Sequence, residues 1–349
     1  MNPKVIKAYA PGKMYLLGEY AVVVENYPAI VFSLNKGVHV TVKSASKFSI
    51  QSTKYNNEQA SMELRNKRLY CKDRRYRYVL TAINTVLAFV GNPEPFQIEI
   101  DSELDNVDHK KYGLGSSGAL IVATIKAIAQ FYDLSFNLKD LFKLSVITQY
   151  RLSPFSSFGD LAASVYGGCI YYQKGRTLHL KRTRNPHRLM RVNWDDFIIE
   201  RLRPQNLHYV IGYSHLHASS TKLVKQVLES QNTMAFNRFL SDARDIVIQA
   251  KTAINKHDND SLFESVRAYR DLLVRLSELT GVDIEVDFIQ QMNDRVYNLG
   301  GVSKSSGAGG GDCVIALAYH QNMKTDIIKA WESLGVEIIS DIQLDMEGE

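Results

Sequence analysis

Residues 111–118 read Lys-Tyr-Gly-Leu-Gly-Ser-Ser-Gly, and an apolar run with helical character follows at once over 119–132. Three glycines in six positions allow a tight turn whose bare N–H groups can be brought against a ligand. The helix behind the turn aims the positive end of its dipole at the same spot. Two hydroxyls and a leading lysine complete the make-up of a polyphosphate site. A surface turn that merely caps a helix is the plainer alternative.

The segment Gly113-Leu-Gly-Ser-Ser-Gly118 matches G-x-G-x-x-G, with Asp133 some way beyond it. A dinucleotide-binding unit needs a buried strand directly before the first glycine. Here Asp105-Asn-Val-Asp-His-Lys-Lys-Tyr112 precedes it, and that run is far too polar. The Walker A pattern and the H-R-D and D-F-G signatures of protein kinases are absent. The loop is therefore directed at phosphate but belongs to neither of the commonest nucleotide-binding plans.

At 349 residues the chain can hold two domains, and 45% hydrophobic with 23% charged residues excludes a disordered polymer. The first 13 residues lack the apolar core of a signal peptide, and no apolar run reaches the roughly 20 residues of a membrane span. Cys71, Cys169 and Cys313 lie far apart, without metal or disulfide spacing. These features lead us to expect a soluble, cytoplasmic protein with no membrane partner, either a monomer or a homodimer. The formal charge of +5 suits a nucleic-acid binder or an enzyme for anionic metabolites. Basic clusters at 65–77 and 181–191 carry no nucleic-acid motif, and solvated loops explain them more simply, so no nucleic-acid partner is expected.

Turn residues separate short β-branched segments at 5–9, 20–24, 29–32 and 38–42, which predicts a β-rich opening sheet. Helical spacing over 76–90 ends at Gly91-Asn-Pro93. Strands are expected at 96–100 and 168–173, and helices at 117–132 and 138–150. The basic stretch 181–191 reads as the seam between domains. Beyond it, strands are expected at 207–211, 313–319 and 336–342, and helices within 222–279, 288–299 and 325–334. This is an α+β order in both halves.

Two further segments accompany the loop. Lys304-Ser-Ser-Gly-Ala-Gly-Gly-Gly-Asp312 leads into an apolar strand, and its glycines leave room for something to approach the backbone. Ala10-Pro-Gly-Lys13 precedes Tyr15-Leu-Leu-Gly-Glu-Tyr20 and sets a lysine beside a strand end. In this order and spacing the three segments resemble the GHMP kinases, from Lys7 to the last strand. Within that family, the loop, the 304–313 segment, Ser157-Phe-Gly-Asp160 and Ala218-Ser-Ser-Thr221 are similar to the branch that phosphorylates phosphomevalonate.

The resemblance implies a two-domain fold with the active site in the cleft between the domains. An N-terminal ribosomal-protein-S5-like domain would cover 1–185 and a C-terminal ferredoxin-like α/β domain 186–349. It implies transfer of the γ-phosphoryl of ATP, with Mg²⁺, onto (R)-5-phosphomevalonate. Lys13, Lys111 and Asp160 would be catalytic. Gly113, Leu114, Gly115, Ser116, Ser117 and Gly118 would hold ATP, with Ser117 on the metal. Lys13, Ser157, Ser219, Ser220, Thr221, Ser305, Ser306, Gly307, Ala308 and Gly309 would meet the acceptor. Phe155 and Phe158 stand where smaller residues are usual. In alcohol-directed relatives the aspartate matching Asp160 is often assigned as the base. A phosphate acceptor with a second pKa near 6 leaves little for a base to remove, so Asp160 is expected to orient Lys13 or Mg²⁺ instead. A member acting on an alcohol such as mevalonate, an inactive regulator and an RNA-binding protein are the alternatives.

Overall fold

The computed structural model describes residues 4–105 and 112–346. Its first sheet is organised by two long strands, β1 (Val5–Leu17) and β2 (Pro28–Ser44), which pair antiparallel along their whole length. On its other edge β2 changes partner midway. Pro28–Phe32 pairs with Cys169–Gln173, and Val38–Ser44 pairs with Phe96–Ser102. The change coincides with an irregularity in the β1–β2 register, between the pairs Pro11–Gly37 and Lys13–Ser33. Such a bulge bends a strand and re-aims its side chains, and Lys13 stands immediately after it.

One face of this sheet carries helices α1 (Arg77–Leu87), α2 (Ser116–Phe131), α3 (Leu138–Leu152) and α4 (Gly159–Tyr166). α2 is the central one, packed on β1 and β2 with the other three beside it. It is apolar on nearly every side, as a helix buried in a core should be. Its N-terminus, and so its unsatisfied N–H groups, emerges beside Lys13.

The second sheet is antiparallel, in the order Val302–Ser305, Cys313–Ala318, His208–Tyr213, Glu337–Ile338. Asp287–Asn298 and Gln321–Glu332 bury Met292, Val296 and Trp331 against one face of it. The long helices Met234–Lys256 and Asn259–Thr280 pack on each other and also on β2 and β1. Their apolar faces join the core of the first sheet, so one continuous core spans both halves.

The α+β architecture agrees with the sequence reading, and several local expectations are corrected. The segments 5–9, 29–32 and 38–42 are not separate short strands but parts of the two long ones, Val5–Leu17 and Pro28–Ser44. Residues 20–24 form a 3-10 turn (Ala21–Val23), not a strand, because Gly18 and Tyr20 both take positive φ and reverse the chain. The final strand is only Glu337–Ile338; beyond it the chain leaves the second sheet, and Leu344 bridges Leu34 at the β2 bulge. The expected boundary at 185/186 falls before the last strand of the first sheet, since Ile198–Leu202 pairs with Cys169–Gln173. The basic stretch across that boundary holds two short helices, Leu178–Arg182 and Pro186–Arg191, anchored by buried Leu180 and Leu189.

Candidate active site

A cleft of about 580 Å³ opens where the N-terminus of α2 faces the glycine-rich turn before Cys313–Ala318. Lys13 is held to the α2 loop at both of its ends. Its backbone N–H donates to Leu114 O (2.8 Å), and its Nζ donates to Gly113 O (2.9 Å). Gly115, the residue before α2, sits at φ +84°, a conformation costly for any side chain.

At each of the three loop glycines a side chain would also collide with the cleft wall. A Cβ on Gly115 would lie 2.7 Å from Lys13 Cγ, one on Gly118 2.7 Å from Asp160 Oδ2, and one on Gly113 2.6 Å from Asp312 Oδ2. Each missing side chain makes room for a charged group of the cleft wall. The loop thus brings its N–H groups, a lysine and two carboxylates into one small volume.

Lys13 is 8% exposed, and burial pulls its pKa down while the charges of Asp160, Asp312 and Glu19 oppose the shift. Burial raises the Asp160 pKa; Lys13 and the N–H groups of Leu161 and Asp160 itself counter it. Beside them, Tyr15 Oη and Ser157 Oγ are 3.0 Å apart, and Tyr172 Oη donates to Ser157 O at 2.7 Å. Ser157 is therefore fixed from two sides. Burial, then the Asp160 charge, keep the Tyr15 phenol protonated.

The opposite wall comes from the second half of the chain. Lys304, fully buried, forms an ion pair with Glu19 Oε1 and donates to Ser305 O at 2.6 Å. Burial lowers the Lys304 pKa, and Glu19 opposes the shift. Tyr269 Oη donates to Glu19 O at 2.8 Å, and Tyr20 Oη donates to Ala308 O. The second carboxylate oxygen, Glu19 Oε2, is buried with no partner. Tyr112 ties the α2 loop to the same wall, its hydroxyl donating to Glu337 Oε1 at 2.8 Å and its ring meeting Tyr213 edge-on.

Among the residues expected from sequence, Lys13, Gly113, Gly115, Ser116, Ser117, Ser157, Asp160, Ser220, Thr221, Gly307 and Ala308 line this cleft. Leu114 is buried and contributes its carbonyl, and Gly118 stands behind Asp160. Ser219 precedes the helix Ser220–Leu228 without a side-chain capping bond, so capping does not account for its hydroxyl. Ser305, Ser306 and Gly309 are not among the residues that line the cleft. Ser305 and Ser306 are buried, Ser306 Oγ accepting the Tyr15 N–H at 2.9 Å, and the Gly309 Cα packs on the Ile284 carbonyl. Phe158 is buried in the core, while Phe155 is exposed at the cleft rim. Lys111 lies outside the described residues.

Sequence reasoning missed Glu19, Asp312 and His217. Glu19 and Asp312 stand inside the segments already singled out, but nothing local shows which way they face. His217 reads as a surface residue; it lines the cleft, 3.2 Å from Tyr213 Oη through Nε2 and 3.7 Å from Asp312 Oδ1 through Nδ1.

The model of the GHMP kinases N terminal domain matches residues 77–168, and that of the GHMP kinases C terminal region matches 250–336. A phosphomevalonate kinase of Streptomyces sp. (strain CL190) is 32% identical over 95% of this chain and 96% of its own length. A crystal structure of a Listeria innocua protein superposes with a TM-score of 0.91 at 27% identity, covering 98% of this chain and 99% of that one. The Streptococcus pneumoniae phosphomevalonate kinase in complex with phosphomevalonate and AMPPNP superposes with a TM-score of 0.86 at 25% identity, with the same coverage. No described helix is long and apolar enough to cross a membrane.

Proposed function

We propose that this chain, which belongs to the GHMP kinase family, transfers the γ-phosphoryl of ATP to the phosphate of (R)-5-phosphomevalonate, yielding (R)-5-diphosphomevalonate and ADP. The observation that carries the reading is Lys13, buried, bonded to the glycine loop and flanked by Asp160. It stands between the α2 N-terminus and the Ser157 wall, where two anions have to meet.

Mutual repulsion of the reactants is the first obstacle, and phosphoryl transfer needs alignment and charge neutralisation more than covalent help. The N–H groups at the start of α2 receive the nucleotide phosphates. Ser157, Ser220 and Thr221 receive the acceptor, with the start of the helix Ser220–Leu228 adding N–H donors. Lys13 spans the two. A phosphate oxygen of the acceptor forms the new P–O bond as the bond from the γ-phosphorus to the ADP oxygen breaks. The acceptor dianion has no proton to lose at neutral pH, so Asp160, whose charge acts on Lys13, orients Lys13 or Mg²⁺ rather than acting as the base.

The donors present suit Mg²⁺. Ser117, Asp160 and the unpartnered Glu19 Oε2 offer hard oxygens, and no cluster of three or more His, Cys, Asp or Glu ligands occurs among the described residues. An ion held by so few protein oxygens completes its shell with water and phosphate. When bound, Mg²⁺ neutralises charge on the nucleotide phosphates.

A coupled ADP-release assay with (R)-5-phosphomevalonate and with mevalonate tests the assignment. Turnover is expected with the phosphorylated acid alone. Comparable turnover of mevalonate would replace this reading with an alcohol kinase.

A further inference from the structure

The two basic segments that the reaction leaves unused both come up to Arg151. A pocket of about 600 Å³ beside the start of α1 is lined by Arg68, Arg74, Arg75, Arg77 and, from the end of α3, Arg151. Arg151 also lines the neighbouring hollow that holds Lys181 and Arg184. We propose that this pocket is a second anion site, separate from the cleft, for a small molecule carrying two or more phosphate charges.

The charge balance is the main ground. The carboxylates of Asp73 and Glu58 both bind Arg75, at 2.7 and 2.9 Å. Arg68, Arg74, Arg77 and Arg151 form no ion pair among the described residues. Arg151 is only partly exposed. It spends its donors on neutral oxygens, Thr85 Oγ1 and Arg184 O, each at 2.8 Å. Burial and the like charges of Arg68 and Arg184 both work against its own charge. The like charges of Arg68 and Arg184 act on Arg151, which has no carboxylate partner among the described residues, and a bound anion removes that cost.

The shape and the side-chain type narrow the ligand. Guanidinium forks match phosphate oxygens two at a time, which the point charge of lysine does not. The volume is that of a small-molecule pocket. Tyr78, half-buried, lines both this pocket and the cleft, and Arg77 lies 5.5 Å from its ring centroid. Occupancy of one site is therefore adjacent to the other through a single shared side chain. None of this depends on the identity of the acceptor in the cleft.

The test uses inorganic pyrophosphate as the probe, titrated calorimetrically into the full chain with a non-hydrolysable ATP analogue filling the cleft. Saturable one-to-one binding is expected, and the Kd should rise tenfold or more in Arg151→Gln and in the double variant Arg68→Gln/Arg77→Gln. The double variant keeps the test informative if loss of the Arg151 bonds disturbs folding, because Arg68 and Arg77 are exposed. Arg65→Gln, whose arginine pairs with Glu63, and Lys13→Met should leave the Kd unchanged. Cys71 lines the pocket, so pyrophosphate should also slow its alkylation. Absence of saturable binding, or equal affinity across the variants, would overturn the proposal. A single-stranded oligonucleotide that binds more tightly than pyrophosphate and weakens in the same variants would also overturn it, in favour of a nucleic-acid surface.

Discussion

The Asp160 carboxylate rests against the bare Cα of Gly118, in the space a Cβ would need: that atom would stand 2.7 Å from Oδ2. Gly118 lies in the first turn of α2 and Asp160 in the first turn of α4, so this contact sets how closely the two helix ends approach. Gly118→Ala should push the carboxylate aside without unfolding the protein, since alanine favours a helix over glycine. We expect an unchanged or slightly raised Tm with kcat lowered by about tenfold, equivalent to about 1.4 kcal/mol of transition-state stabilisation. Unchanged kcat would show that the position of Asp160 does not matter to the rate.

Asp160→Asn separates orientation from proton abstraction. If Asp160 holds Lys13, the variant keeps measurable turnover, and the acid limb of its pH profile still follows the acceptor phosphate near pH 6. Nearly total loss of kcat, with Lys13 unmoved in a structure of the variant, would assign Asp160 as the base.

Lys13 acts as a cation, so activity falls as pH rises through its pKa. Burial places that pKa below the ordinary lysine value of 10.5 in the free enzyme. Bound phosphates favour the charged form and raise it again. The basic limb of kcat/KM, which reports the free enzyme, should therefore lie at lower pH than the basic limb of kcat. Lys13→Arg should abolish both limbs because arginine stays charged, while its bulk against Gly115 lowers the rate. A limb that persists in this variant belongs to another group.

The Glu19–Lys304 pair joins the two halves of the chain in a fully buried setting. Removing one partner strands the other. Lys304→Met should cost about 3–5 kcal/mol in denaturant unfolding, and Glu19→Leu in the same background should restore part of it. Equal stability of the single and double variants would mean that the charge on Glu19 is already satisfied elsewhere.

Thiol reactivity offers a check on the core. Cys169 and Cys313 are buried and their thiols are pushed far up by desolvation, whereas Cys71 is half-buried. In the native protein Cys71 should react with a thiol reagent well before the other two, and all three should react after denaturation. Rapid native reaction of Cys313 would place the α2 loop in an open arrangement, because its Sγ lies against Tyr112 O at 3.1 Å.

Much of this was legible from sequence. α2 and its loop were, since helical periodicity, glycine spacing and flanking polarity are local properties. The strand character of 5–9, 29–32 and 38–42 was legible too, but not that turn residues between them run inside two long strands, nor that 20–24 serves a buried turn. The sheet membership of Ile198–Leu202 was not, because its short pattern pairs with a strand chosen by the whole fold.

By itself the sequence determined that a glycine loop, a lysine after Pro11-Gly12 and a second glycine turn exist, together with the α+β order that carries them. Tertiary structure alone decided what faces each glycine: Asp312 at Gly113, Lys13 at Gly115 and Asp160 at Gly118. It also decided that Glu19 meets Lys304, 285 positions away, and that Arg151 meets Arg68. Backbone conformation follows from neighbours along the chain. The company a charged side chain keeps follows from how buried surfaces pack, and no short stretch of sequence contains that information.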